Sequence, residues 1–385
     1  MDFSLPDEAR MLRDLCRDFA DRAIRPHAAE WDRERHFPVE LFREMGELSL
    51  MGLLVPGEYG GTDVGAVAYA SAMEEMAAAD NSTAACWNAH LTIGSLPILY
   101  FGTEEQKRRW LVPLARGEML GACALTEPNA GSDLSGIETR AQRTKEGWKI
   151  RGRKIFITNV GTEMSLGPIV LARTGEGRFG FFVVPRGTPG FEIGPKADKL
   201  GWRSMDTREL FFDDCALPED HLIGESDVGS IRQATETLAI GRVSVAALSL
   251  GLARACLDAS LAYALGREQF GKPIASHQAI GFKLADMATR VEMARLITMK
   301  AAWLYDRGES YRQEAAMAKL VASELAADAA GEAVQIHGGY GYMEGEFPVA
   351  RYYRDAKGLE IGEGTSEIQR IIIANGLGCG VRARG

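Results

Sequence analysis

Long apolar runs are scarce in this chain. The longest candidate, Val243 to Ala253, is interrupted by serines and a glycine, so no membrane-spanning segment is expected. The opening stretch, MDFSLPDEARMLRD, mixes charges and has no apolar core, so it does not read as a secretory signal. Its frequent acids speak against a transit peptide. C-x-x-C pairs and Cys/His clusters at metal spacing are missing. The six cysteines, Cys16, Cys86, Cys123, Cys215, Cys256 and Cys379, are scattered and read as reduced thiols. H-E-x-x-H, Walker A and G-x-S-x-G are absent. Gly339 and Gly341 could open a dinucleotide fingerprint, but Glu344 stands where its third glycine belongs. Positive charge is also short: 44 Lys and Arg against 53 Asp and Glu give a net charge of −9. That balance is the reverse of what a non-specific nucleic-acid binder carries.

What remains is ordinary globular material. The 385 residues are 46% hydrophobic and 25% charged, enough for a large core without disulfides. At roughly 150 residues per domain, two to three domains are expected. Proline placement divides the chain, because proline breaks helix interiors. Six of the fourteen prolines lie between Pro128 and Pro218, and only two follow.

Residues 1–118 read as a helical domain. Pro6-Asp7-Glu8 opens a helix with early acids, and Leu12, Leu15, Cys16 and Phe19 recur at helical spacing. Residues 119–228 carry short strand-like runs: Trp148 to Arg151, Lys154 to Thr158, Ile169 to Ala172, Gly180 to Val184 and Glu209 to Phe212. Strands without intervening helices predict an antiparallel sheet or barrel. Residues 229–385 turn helical again, with Ser230 to Leu265, Ala279 to Asp306, Gln313 to Ile336 and Ser366 to Ala374 predicting a four-helix bundle. The fold class is thus α+β multidomain: helical domain, β domain, helical bundle.

Four segments hold candidate chemistry. The turn-rich Ala124 to Asp133 can cradle a phosphate or a flavin edge, or be a plain surface turn. Arg267 to Pro273 offers a guanidinium and an ammonium for a pyrophosphate, or simply caps a helix. Gln335 to Gly341 ends a helix in glycines that admit a close ligand; His337 reads as structural. In Ile361 to Arg370, Thr365 or Ser366 can cap a helix. Capping does not need Glu363. Flanked by glycines, its carboxylate faces whatever fills the adjoining cleft, and an apolar cleft would raise its pKa towards a general base.

Together these segments resemble the acyl-CoA dehydrogenase family from about residue 5 to residue 375. TEPNAGSD is similar to the family's T-E-P-x-A-G-S-D flavin loop, and Lys154 to Asn159 to its K-x-[WF]-I-T-N strand. Arg267 to Ile274 with His277-Gln278 matches its R-x-x-F-G motif, and Gln335 to Gly341 with Glu363-Gly364-Thr365 completes the set. The resemblance implies non-covalent FAD in a homotetramer, or less often a dimer. Cys123, Leu125, Thr126, Gly131 and Ser132 would line the isoalloxazine; Phe156, Ile157 and Thr158 would cover its other face. Arg267, Phe270, Gln278, Gln335, Gly338 and Gly339 would hold the ADP portion, partly from a neighbouring subunit. Thr365 and Glu367 would touch FAD at the start of the last helix. Ser132, Arg242 and Gly364 would contact substrate, with Arg242 near the nucleotide end.

Glu363 matches the family's base; a second base position seen in some members is Gly241 here, which has no side chain to act. The implied reaction is α,β-desaturation of an acyl-CoA thioester. Glu363 removes an α-proton, a β-hydride passes to flavin N5, and the Glu363 N–H steadies the thioester oxygen. An electron-transfer flavoprotein would take the electrons. Leu238 to Arg242 lacks the Asp or Asn that many members carry three residues before the arginine. A carrier-protein thioester is therefore an alternative substrate, and a flavoprotein of the same fold that binds nucleic acid is a third, disfavoured by the charge. The acyl group is expected to be short, branched or cyclic, and the location bacterial cytoplasm or, after processing, an organellar matrix.

Overall fold

The computed structural model describes residues 4–224 and 231–381, the side chains of 231–235 excepted. The expected boundary at 228/229 and Ser230 lie outside the described residues. Helices fill the first part of the chain. Asp7–Phe19 follows Pro6 and turns Cys16 and Phe19 inward, whereas Leu15 is exposed. Gly65–Ala79 and Asn81–Leu91 are helices with almost every residue buried, and Asp80 caps the second through the N–H of Thr83.

A seven-stranded sheet follows: β1 (Leu120–Ala124), β2 (Arg140–Arg143), β3 (Trp148–Thr158), β4 (Ser165–Gly175), β5 (Arg178–Val183), β6 (Phe191–Lys196) and β7 (Thr207–Leu217). The two runs expected at 148–151 and 154–158 form one strand, and its pairing with β7 shifts register between Ile150 and Gly152. The expectation of a purely antiparallel sheet needs correction. β4 pairs in parallel with β1 and with β2, because the chain leaves β1 through a long connection before returning beside it. Along β4 the side chains alternate. Ile169 and Leu171 pack with Trp110, Leu111 and Leu114 of the N-terminal helices, and Val170 and Ala172 pack with Trp148, Phe182 and Leu210. Covering both faces explains why β4 reads as an unbroken apolar run.

The C-terminal part holds the helices Ile231–Gly266, Gln278–Asp306, Arg312–His337, Val349–Ile361 and Ser366–Gly376. A two-stranded turn, Glu268–Gln269 with Lys272–Pro273, joins the first two. Within the first helix, Glu236–Gly266 is long and apolar enough to cross a membrane, contrary to the expectation drawn from its serines. Most of it is buried. Ile240, Val243, Leu250 and Cys256 share one core with Phe19, Phe42 and Trp87 from the N-terminal helices and with Leu325 and Leu359. Its apolarity is that of a central core helix. The helix Val349–Ile361 was not anticipated, although Val349, Tyr352, Ala356 and Leu359 repeat at helical spacing and all are buried.

Candidate active site

Glu363 stands between two helices. Val349–Ile361 ends at Gly362, and Thr365 caps Ser366–Gly376 by accepting from the Ile368 N–H at 3.4 Å. The connecting turn puts Glu363 at φ 52° and Gly364 at φ 96°. A left-handed glutamate costs energy, which the residues around it must offset. Two donors meet the Gly364 carbonyl, Lys319 Nζ at 2.8 Å and Gln369 Nε2 at 2.8 Å.

The Glu363 side chain is carried inward. Oε1 accepts from Asn88 Nδ2 at 2.8 Å, while Oε2 is enclosed and has no partner among the described residues. A Cβ on residue 241 would lie 2.1 Å from that Oε2, so only glycine leaves it room. Burial pushes the Glu363 carboxyl above the ordinary carboxylate range, opposed by the Asn88 hydrogen bond and the charges of Arg242 and Lys319. The result is a carboxylate held in place with one oxygen unengaged, a suitable arrangement for taking up a proton.

Asn88 escaped the sequence reading, because no local pattern marks it. Its side-chain Oδ1 faces the hydroxyls of Tyr69 and Thr92, each at 3.4 Å, and the Tyr69 hydroxyl is hydrogen-bonded to Ser244. The helix bearing it is locked to β1. The Gly121 N–H donates to His90 Nδ1 at 2.9 Å, and His90 Nε2 lies 2.9 Å from the Met51 carbonyl. These partners make Nε2 the protonated nitrogen, and burial holds the imidazole neutral, with its pKa down to about 4. Asn159 adds a second tie, donating to the carbonyls of Cys86 and Gly121 at 2.9 and 3.2 Å.

The expected flavin residues fall into two groups. Cys123 is the penultimate residue of β1, close enough that Glu363's charge reinforces the burial that pushes its thiol up to about 12. Leu125, Thr126, Gly131 and Ser132 follow in the loop, and Phe156, Ile157 and Thr158 end β3. Loop and strand are clamped together. The Ile155 N–H donates to the Thr126 carbonyl at 3.0 Å, and the fully buried Lys154 donates to the Leu125 carbonyl and to Glu127 Oε1, each at 2.8 Å. Glu127 also accepts the backbone N–H groups of Glu138 and Thr139. Phe156 is 70% exposed at φ 61° and presents an aromatic face beside the loop. Ile157 is different: its side chain is buried in the sheet core, so only its backbone can meet a ligand.

The second group surrounds a cavity of about 850 Å3 lined by Arg267, Phe270, Gly338 and Gly339 with Tyr263, His337 and Tyr340. Gln278 and Gln335 are exposed near it but do not line it. None of the loop or β3 residues lines it either. An exposed ring beside a turn-rich loop suits an isoalloxazine, and a guanidinium among aromatic walls suits an ADP moiety, so the residues present fit FAD. Arg242 is placed differently from the expectation. It is buried beside Glu363 in the core helix, with its Nε unpartnered among the described residues, rather than at an open nucleotide end. Glu367 is exposed in the first turn of the last helix.

Models of the acyl-CoA dehydrogenase N-terminal, middle and C-terminal domains match residues 6–118, 122–215 and 231–378. A probable acyl-CoA dehydrogenase of Bacillus subtilis, YngJ, is 48% identical over 98% of this chain and 100% of its own length. The mitochondrial short-chain specific acyl-CoA dehydrogenase of Mus musculus is 44% identical over 97% of this chain and 90% of its own. Among solved structures, butyryl-CoA dehydrogenase from Megasphaera elsdenii superposes with a TM-score of 0.94 at 41% identity, covering 98% of this chain and 100% of that one.

Proposed function

The chain belongs to the acyl-CoA dehydrogenase family of FAD-dependent oxidoreductases, and from that premise we propose that it desaturates a short-chain acyl-CoA between Cα and Cβ, with Glu363 as the base. What supports this reading is the unpartnered Oε2 of Glu363, held by Asn88 through the other oxygen and given room by Gly241. Glu363 would take the α-proton onto Oε2, and its own backbone N–H would donate to the thioester oxygen as negative charge develops there. The charges of Arg242 and Lys319 favour the ionised base, against the burial that raises its pKa. Bound FAD supplies the acceptor for the β-hydride. Leu125, Thr126 and the backbone at Ile157 would hold its ring, and Phe156 would cover it from the open side. The names of the short-chain and butyryl-CoA relatives support a small acyl group.

Because the loop group and the Arg267 cavity line different places, the ADP portion of one FAD would rest in the cavity of a second copy. This supports a homo-oligomer, for which the resemblance implies a tetramer or less often a dimer. The electron-transfer flavoprotein remains the acceptor assigned by the resemblance. The test is anaerobic bleaching of the flavin by a panel of acyl-CoAs. Reduction by butyryl-CoA in the wild type, and its loss in Glu363→Gln with FAD retained, is the expected result. Wild-type rates in Glu363→Gln would refute the base. Indifference to every acyl-CoA would point to a carrier-bound thioester instead.

A further inference from the structure

Lys319 is an unusual residue to find in a core. It lies midway along the helix Arg312–His337, has no exposed surface, and is flanked by Ala315, Ala316, Ala318 and Ala322, all fully buried. Burying an ammonium costs several kcal/mol unless a partner repays it. Yet no carboxylate among the described residues lies within ion-pair distance of its Nζ. Its acceptor is the carbonyl of Gly364, at 2.8 Å. Burial pulls its pKa down to about 8, and the negative charge of Glu363 is the largest influence holding it up.

That carbonyl belongs to the turn carrying the base. Glu363 and Gly364 both have positive φ. Gln369 reaches the same turn from the last helix, donating to the Gly364 carbonyl at 2.8 Å and lying 3.5 Å from that of Glu363. The turn sets two things at once: where the Glu363 carboxylate points, and where its backbone N–H points. The bonds from Lys319 and Gln369 hold the Gly364–Thr365 peptide, and Gln369 also approaches the Glu363–Gly364 peptide, so the turn is anchored directly after the base. We propose that Lys319 is a positioning residue for the base: its buried ammonium pins the Gly364 carbonyl, holds the left-handed Glu363–Gly364 turn in its reactive geometry, and sets a positive charge beneath the carboxylate.

The proposal rests on Glu363 being the base. The other groups facing that carboxylate are Asn88 and Tyr69 from the N-terminal helices, Arg242 from the core helix and Cys123 from β1. None of these donates to the Gly364 carbonyl, so substituting Lys319 leaves their contacts with the carboxylate in place.

The test compares the FAD-loaded wild type with Lys319→Met, Lys319→Gln and Glu363→Gln, using butyryl-CoA. In Lys319→Met, flavin reduction at saturating butyryl-CoA is expected to slow by roughly tenfold or more, with half-saturation changing by less than about threefold. The acid limb of the rate profile should move to higher pH, because a cation that favours ionised Glu363 has gone. Amide exchange should quicken in peptides spanning residues 361–370 and nowhere else, a readout independent of turnover. Lys319→Gln, which offers an uncharged donor, should recover part of the rate but not the acid limb. A Lys319→Met enzyme with wild-type rate, pH profile and exchange overturns the proposal. If Lys319→Met does not fold, Gln369→Leu removes the second donor, and an unchanged rate and exchange there overturns it equally. Glu363→Gln with wild-type reduction brings down the base and this proposal together. An inactive Glu363→Gln beside a normal Lys319→Met brings down this proposal alone.

Discussion

Gly241 and Glu363 fit against each other so closely that no methyl group has room between them: a Cβ at 241 would stand 2.1 Å from Glu363 Oε2. The contact joins the core helix to the base turn, and it explains the lack of a side chain at 241 sterically rather than by drift. Glu363 could avoid the clash only by swinging its carboxylate away. Gly241→Ala should therefore retain FAD and fold, yet lose on the order of a hundredfold in the rate of flavin reduction by acyl-CoA, as displacement of a reacting group by about 1 Å does. Stopped-flow reduction beside the FAD absorbance of the purified variant checks this. A variant that reduces its flavin at the wild-type rate would mean the carboxylate works from another position.

Asn88 fixes the other carboxylate oxygen at 2.8 Å, and its effect on pH dependence has a definite sign. In the proposed reaction, proton abstraction requires ionised Glu363, whose pKa is already raised by burial. A donor to the charged form lowers that pKa. Removing it in Asn88→Ala raises the pKa further, so the acid limb of kcat/KM moves to higher pH. A hydrogen bond to a charged group contributes about 1.5–3 kcal/mol, which corresponds to a shift of roughly one to two pH units. Rates at the alkaline plateau should fall much less. An unshifted acid limb would show that another group sets it.

Much of this site was readable in the sequence, and the unread part has a common cause. Glu363 between two glycines, Thr365 as a cap, and the loop from Leu125 to Ser132 are local patterns whose chemistry is carried by neighbours in the chain. So are the strand at Lys154 and the long proline-free helices. Glu236–Gly266 is apolar enough to cross a membrane yet packs as a core helix, because hydropathy cannot tell a lipid-facing helix from one packed inside a bundle. Asn88 and Lys319 act on residues 275 and 45 positions away, and such pairings are set by how helices pack. Arg242, expected near the substrate's nucleotide end, is buried beside Glu363 in the core helix. The parallel pairing of β1 with β4 was hidden for the same reason: strand patterns give faces, not partners.

The clamp between Lys154 and Glu127 can be tested through cofactor retention. Lys154 has no exposed surface, and its ammonium holds both the Leu125 carbonyl and the Glu127 carboxylate. Lys154→Met leaves Glu127 buried without its counter-ion, a loss of about 3–5 kcal/mol. The loop from Leu125 to Ser132 should loosen, FAD should be lost on gel filtration, and Tm should drop. Lys154→Met with Glu127→Gln removes the uncompensated charge and should recover stability more fully than FAD binding. If the double variant holds FAD like the wild type, the clamp is structural and does not shape the flavin loop.

Asp355 gives a prediction about stability and pH. It sits in the helix Val349–Ile361, buried, with Oδ1 accepting from the Trp202 N–H at 2.6 Å and Oδ2 unpartnered among the described residues. Burial, then the charge of Asp80, raises its pKa from 3.8 to about 7, despite the Trp202 N–H and the guanidinium of Arg351. A carboxyl whose pKa is higher folded than unfolded binds its proton more tightly in the native state. Its contribution is complete below about pH 4 and is lost as pH rises through about 7. Asp355→Asn keeps an acceptor for the Trp202 N–H and carries no charge at any pH. Relative to the wild type, it should be more stable at pH 8 by an amount on the order of 2–4 kcal/mol, a few degrees in Tm, with the advantage shrinking as pH falls towards 4. Thermal melts of both proteins across that range decide the matter. A constant difference between them at every pH would show that folding does not raise the Asp355 pKa.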